Sequence, residues 1–185
     1  EDGKPYTIFT PYSRKWKSLL TKFYLRNYPT EKYFNNLKKS KPLFFPSLSE
    51  IGFKETGALF PDRIVRNSII DQYDKLRNFP AKRGTTQLSV HLRFGTVSIR
   101  TLAQLALKRN EVWLNELIWR DFYHMILWHF PRVGLGKSFK PEYDFIAWRN
   151  NEDEFEKWCI GQTGYPIVDA GMRELNTTGY MHNRV

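Results

Sequence analysis

The chain of 185 residues carries a formal net charge of +10 and a pI near 9.7, and it is long enough to bury a core without disulfides or metals. Its one cysteine, Cys159, excludes an intrachain disulfide and a cysteine-built metal cluster, and no apolar run approaches the roughly 18 residues that cross a membrane. The charge, with aromatics at 16% of residues, favours a polyanionic partner, nucleic acid ahead of an anionic membrane surface; a solvated basic surface over an aromatic core would give the same composition.

Residues 1–12 open with an Asp2-Gly3 turn and continue as a short strand-like run, Tyr6 to Phe9, stopped by Pro11. A strand cannot stand alone, so this run reads as the end of a domain lying upstream, and the chain as a piece cut at both ends. Between Ser13 and Phe34, Trp16, Leu19, Leu20, Phe23 and Tyr24 are spaced as one amphipathic helix ending near Pro29. Lys38 to Pro61, interrupted by Pro42, Pro46, Gly52 and Gly57, reads as an extended connector. Pro61 takes the favoured first position of a helix that runs through Ile64, Val65, Ile69, Tyr73 and Leu76 to about Phe79, and Pro80 ends it.

In Arg83 to Ser89, Gly84 precedes hydroxyl-bearing residues and a short apolar helix, Ser89 to Phe94. Such an entry holds a phosphate on free backbone N–H groups or is an ordinary N-cap, and spacing does not choose between them. Ser98 caps the next helix, Ile99 to Arg109.

Glu111 to Phe130 has no Gly or Pro and reads as one long helix around which the rest is organised. At about 100° per residue, Trp113, Glu116, Arg120, Tyr123 and Leu127 share one face with Trp119 at its margin, while Leu114, Ile118, Phe122 and Met125 form an apolar back. An acid and a base set among indole rings need partners if buried; an ordinary i,i+4 pair between Glu116 and Arg120 satisfies the same pattern. Val133 to Lys140 is a Gly- and Lys-rich loop without the spacing of a nucleotide loop. Gly161 to Pro166 turns into a helix, Ile167 to Leu175, with Asp169 in its first turn; Asn176 to Gly179 ends it and Tyr180 to Val185 starts another element. The fold class is mainly α, with a strand remnant at the front.

At TTQLS (Thr85 to Ser89), WLNELIWRDFYH (Trp113 to His124) and TGYPIVDAGMRELNTTGYMHNRV (Thr163 to Val185), the chain resembles the flavin-binding region of the DNA photolyase and cryptochrome family, and within it the class I cyclobutane pyrimidine dimer photolyases. The resemblance runs from FTPY at Phe9 to Val185. It implies a remnant of the α/β antenna domain over 1–12, an interdomain connector with a short helix over 13–60, and the N-terminal part of the helical FAD-binding domain over 61–185, the C-terminal half lying outside.

The resemblance also implies roles. Tyr73, Thr85, Thr86, Gln87, Leu88, Ser89, Trp113, Glu116, Arg120 and Asn183 correspond to FAD-binding positions, Tyr73 and the 85–89 loop to those around the phosphates. Glu116, Trp119 and Asn183 correspond to the catalytic set facing the lesion, with the flipped dimer stacking on Trp119. Arg77, Glu116, Trp119, Asn183 and Arg184 correspond to DNA contacts, and Trp148 to the outermost tryptophan of an electron-transfer chain. No metal is implied. Thr86 stands where relatives often have Ser, and Tyr180 where they often have Trp. The implied activity is light-driven repair of pyrimidine dimers by reduced FAD, a carbon–carbon lyase reaction on damaged DNA, with a second antenna chromophore on the missing domain.

The alternative readings are a blue-light photoreceptor of the cryptochrome kind and a helical nucleic-acid-binding module without cofactor. Glu116, Trp119 and Asn183 together favour repair, and Asn183 argues against the (6-4) photoproduct branch, which has a histidine there. The expected location is cytoplasmic, the bacterial cytosol or nucleoid. The full-length protein is expected to be a monomer; the piece is expected to bind FAD weakly or not at all, to lack repair activity and to expose an apolar wall prone to self-association.

Overall fold

The structure, a computed structural model, describes residues 3–57 and 60–185. Among the described residues it is helical, with no strand. Near the start lie α1 (Phe9–Leu19), α2 (Lys22–Leu25) and a 3₁₀ segment, Thr30–Asn36. There follow α3 (Asn67–Asp71), α4 (Tyr73–Leu76), α5 (Ser89–Arg93), α6 (Ile99–Arg109) and α7 (Glu111–His129). The chain ends through α8 (Pro131–Gly134), a 3₁₀ turn at Pro141–Phe145, α9 (Glu152–Cys159) and α10 (Pro166–Thr178). No described helix is long and apolar enough to cross a membrane.

The long helix α7 is the axis, with α1, α4, α6 and α8 packed against it. Asn110 starts it: its side-chain oxygen accepts from the N–H groups of Val112 at 3.0 Å and Trp113 at 3.2 Å, satisfying two donors that a helix start leaves free. Ser98 caps α6 in the same way through Thr101 N–H. Trp113, Leu114, Leu117, Ile118, Phe122 and Ile126 are buried along α7. Of these, Trp113, Leu114, Leu117 and Ile118 meet Leu102, Ala103 and Ala106 of α6 and Ile70 of α3 in one core. Each large aliphatic side chain taken fully out of water there, such as Ile118 at 0% exposure, contributes about 2 kcal/mol.

The expected strand Tyr6 to Phe9 is not formed: Phe9 opens α1. Pro11 is the reason the pattern misleads. It occupies the third position of the helix, where its missing N–H would have had no intrahelical acceptor and its fixed φ suits the turn. Packing then decides, because Phe9, Tyr12 and Trp16 lie against the core and Asp121 of α7 accepts from Tyr12 Oη at 2.7 Å and Trp16 Nε1 at 2.9 Å. The expected single helix between Ser13 and Phe34 is broken, with Leu20 and Arg26 both extended. Asp2, and with it the Asp2-Gly3 turn, lies outside the described residues, as do Ala58 and Leu59 of the connector.

Pro61 does not open a helix either. Asp62 accepts from the Ile64 N–H at 2.8 Å and pairs with Arg66 at 3.0 Å, a side-chain turn that competes with helix formation, and helix begins only at Asn67. Toward the C-terminus, α10 starts at Pro166 and runs on to Thr178, where Gly179 at φ +70° closes it in the left-handed conformation. The further element expected over Tyr180 to Val185 is a non-helical return, closed by Val185 N–H on His182 carbonyl at 3.1 Å.

Candidate functional site

The return segment gives α10 a purpose. A Cβ on Gly171 would lie 2.3 Å from Val185 Cγ1, so glycine lets Val185, at the end of the return, lie this close to the helix. Asp169, buried in the first turn of α10, fixes the preceding loop by accepting from Thr163 Oγ1 at 2.6 Å, Thr163 N–H at 2.7 Å and Gly164 N–H at 3.0 Å. These bonds, led by the Thr163 hydroxyl, hold its carboxyl below the usual range. Tyr180, Met181 and Asn183 are thereby brought beside α7.

They complete a cleft of ≈ 300 Å³ lined by Tyr73 of α4, the Thr85–Ser89 turn, Leu92 of α5, Trp113, Glu116 and Leu117 of α7, and Tyr180, Met181 and Asn183. Nine of the ten residues expected at the cofactor line it together. Arg120 does not. Its guanidinium lies behind α5, donating to the Leu92 carbonyl at 3.4 Å, and lines a separate cavity with Trp16 and Tyr24.

The floor of the cleft is a turn rich in free donors. Gly84 is buried against α4, and a Cβ there would sit 2.6 Å from the Leu76 carbonyl oxygen. Gln87 follows at φ +51°, an unusual conformation for a residue with a side chain, and Leu88 reverts to φ −83°, ψ +6°. Such an alternation turns successive N–H groups toward one concavity, an arrangement suited to anions. Among the described residues no acceptor faces the backbone N–H groups of Thr85, Thr86, Gln87 or Leu88. The Thr85 hydroxyl is 3.2 Å from the Tyr180 hydroxyl across the cleft.

The walls combine rings and charge. Trp113 is 3% exposed. The Tyr73 hydroxyl is pushed up to about 12, by burial first and then by the Glu116 carboxylate, so it stays a hydrogen-bond donor. The Arg77 guanidinium lies 5.2 Å above the Tyr73 ring and pairs with Glu116, both side chains being about a quarter exposed. The local Glu116 to Arg120 pair suggested by spacing is therefore replaced by a long-range one. Arg184 donates from Nε to Oδ1 of Asn78, the residue after Arg77, at 2.9 Å, and both arginines act on the Tyr73 hydroxyl of the cleft.

Two predicted residues lie elsewhere. Trp119 stacks on Phe9 at a centroid distance of 3.6 Å, with Tyr123 at 5.4 Å. Trp148 is 71% exposed, in a patch with Arg149 and Phe155. Sequence reasoning did not place Leu92, Leu117 or Met181 in the site. Leu117 follows Trp113 by one helical turn on α7 and could have been found that way; Leu92 and Met181 carried no signal beyond being apolar.

Unclaimed amides of the 85–88 turn, the protonated Tyr73 phenol and the nearly buried Trp113 thus line one cleft. Residues 113–185 match the family described as the FAD binding domain of DNA photolyase. The chain is 36% identical over 210 residues to the deoxyribodipyrimidine photo-lyase of Synechococcus, an alignment covering 98% of this chain and 43% of the relative. Among solved structures, the bacterial class III photolyase of Agrobacterium tumefaciens superposes with a TM-score of 0.71 at 27% identity, over 100% of this chain and 42% of that one. The archaeal photolyase of Sulfolobus tokodaii, solved with two FAD molecules, gives 0.55 at 46% identity over 58% of this chain and 25% of that one. The chain belongs to the DNA photolyase family. It spans about two fifths of the length of the Synechococcus relative. The solved structure matched over the whole chain is named a class III enzyme; the comparisons carry the family and not the class I subdivision.

Proposed function

We propose that this chain forms one wall of the FAD site of a deoxyribodipyrimidine photo-lyase, an enzyme that uses light to split cyclobutane pyrimidine dimers in DNA. The observation that carries the reading is that nine of the ten expected cofactor residues, drawn from α4, the 85–89 turn, α7 and the 180–183 return, line a single cleft.

The residues fit FAD. The amides of Thr85, Thr86, Gln87 and Leu88 would hold its diphosphate, helped by the Thr85 and Thr86 hydroxyls, and Trp113, Leu117 and Leu92 offer apolar surface for its rings. When bound and reduced, FAD supplies light-driven electron donation and recovery. The chain's own contribution is position and polarity. The net positive charge of +10 attracts the DNA backbone, and a lesion already poorly stacked is cheap to swing out of the duplex. Glu116 and Asn183 supply hydrogen bonds at the cleft to a base edge. Trp119 supplies a stacking face once Phe9 moves aside, and Arg184 joins Arg77 as a backbone contact. The net change in DNA is cleavage of two carbon–carbon bonds without net oxidation or reduction. The class I assignment, a role for the exposed Trp148 in reducing the flavin, a monomeric state, and a place in the cytosol or nucleoid belong to the same proposal.

The test is blue-light repair of a dimer-containing oligonucleotide by the purified full-length protein, with its absorption spectrum recorded first. Bound flavin and repair that falls at least tenfold in Glu116→Ala and in Trp119→Ala support the reading. Bound flavin without repair would make the protein a photoreceptor, and absence of flavin would leave the cleft without its proposed ligand.

A further inference from the structure

Arg77 and Glu116 hold each other across 39 residues of sequence, from α4 to α7. Both side chains are mostly withdrawn from water, and neither charge is cheaply left unpaired in such a place. Glu116 lines the cleft while Arg77 sits at its edge over Tyr73, and Arg184 is close enough for its charge, with those of Arg77 and Glu116, to act on the Tyr73 hydroxyl. Two guanidinium groups thus lie close to the cleft residue Tyr73, one of them committed to the Glu116 carboxylate. A phosphate group arriving there can present two oxygens to the planar fork, whereas Glu116 engages Arg77 through one carboxylate oxygen.

We propose that Glu116 and a phosphate group compete for Arg77, so that docking of a phosphate at the mouth strips Glu116 of its cation and frees its carboxylate for a hydrogen-bond donor inside the cleft. The inference rests on the proposed photolyase reading for the identity of that inner donor, a base edge, but the exchange itself concerns only the two side chains and a phosphate. In this arrangement Glu116 is masked in the free protein and unmasked by the ligand. Arg77 acts as a positioning residue, coupling contact with a phosphate to the availability of Glu116. The phosphate could belong to a DNA backbone or to the diphosphate of a dinucleotide, and the chemistry at Arg77 is the same.

The test is a double-mutant cycle read by binding, with an undamaged single-stranded oligothymidylate and FAD as separate probes. Removing the competitor in Glu116→Gln, a near-isosteric change, should tighten binding of the phosphate donor about fivefold, the size of a partly exposed ion pair. The same change made in an Arg77→Gln background should have no effect, and Arg77→Lys should give an intermediate gain, since it keeps the charge and loses the fork. Tightening seen with the oligonucleotide assigns the phosphate to DNA; tightening seen with FAD alone assigns it to the dinucleotide. A Glu116→Gln effect of equal size with and without Arg77 would show only the change in net charge and would overturn the proposal, as would unchanged or weaker binding of both probes. The oligonucleotide arm needs no flavin, so a protein that never binds FAD would defeat the proposed function while leaving this result intact.

Discussion

The ring of Phe9 lies flat on Trp119, the centroids 3.6 Å apart and the planes 4° from parallel. The first residue of α1 thereby closes one face of an indole on α7, with the Tyr123 ring 5.4 Å away, and a base that stacked on that face of Trp119 would have to displace Phe9. Phe9→Ala should lower stability by about 2 kcal/mol, combining partial burial with the loss of an aromatic pair. It should also raise acrylamide quenching of indole fluorescence by uncovering Trp119. Urea denaturation and quenching on the same samples check both halves.

Gly84 is a second point of close approach. A methyl group there meets the backbone of Leu76 rather than a flexible side chain, so the turn must move away from α4. Gly84→Ala should cost about 1–3 kcal/mol and weaken binding of phosphate-bearing ligands, because the amides of residues 85–88 move with the turn. A thermal melt and a pyrophosphate titration report the two effects separately.

Asp169 makes stability depend on acid. Its folded carboxyl titrates below the ordinary value because Thr163 and Gly164 donate to it, so its contribution is fully present above the unfolded value of about 3.9 and is lost as pH falls through the lower, folded value. Between pH 5 and pH 2 the urea midpoint of the wild type should fall more steeply than that of Asp169→Asn, which starts lower and has no such titration.

Tyr73 makes the opposite end of the pH scale informative. Its folded value is raised to about 12, against about 10 in an unfolded chain, so the unfolded state ionises first and stability is lost as pH rises from 10 to 12. Tyr73→Phe should flatten that decline. Spectrophotometric titration of phenolate absorbance should show one fewer late-titrating tyrosine in the variant; Tyr12, also raised by burial and by Asp121, remains late in both.

Much of this was legible in the sequence where the signal is local. The helix α7 announces itself through twenty residues free of Gly and Pro with a 3.6-residue period, and the 85–89 turn through a glycine followed by hydroxyls. Two prolines misled for one reason: the strand reading of Tyr6 to Phe9 and the helix reading from Pro61 both treated proline by its local preference. The outcomes were set instead by Asp121 reaching back to Tyr12 and Trp16 and by Asp62 bonding its own neighbours. The ion pair was misassigned because spacing offers Glu116 only Arg120, four residues on; Arg77 comes from another helix. The covering of Trp119 by Phe9 was hidden likewise, since nothing near Trp119 in sequence says that Phe9 will stack on it.

The central claim is that the amides of residues 85–88 hold the diphosphate of FAD in this cleft. The most direct measurement is a pair of fluorescence titrations, FAD against riboflavin, which has the same ring system and no phosphate, on the wild type and on Gly84→Ala. The account predicts that FAD binds at least tenfold more tightly than riboflavin and that the ratio collapses toward one in Gly84→Ala, whatever the absolute affinities. Equal binding of the two ligands by the wild type, or a preference untouched by Gly84→Ala, would contradict it.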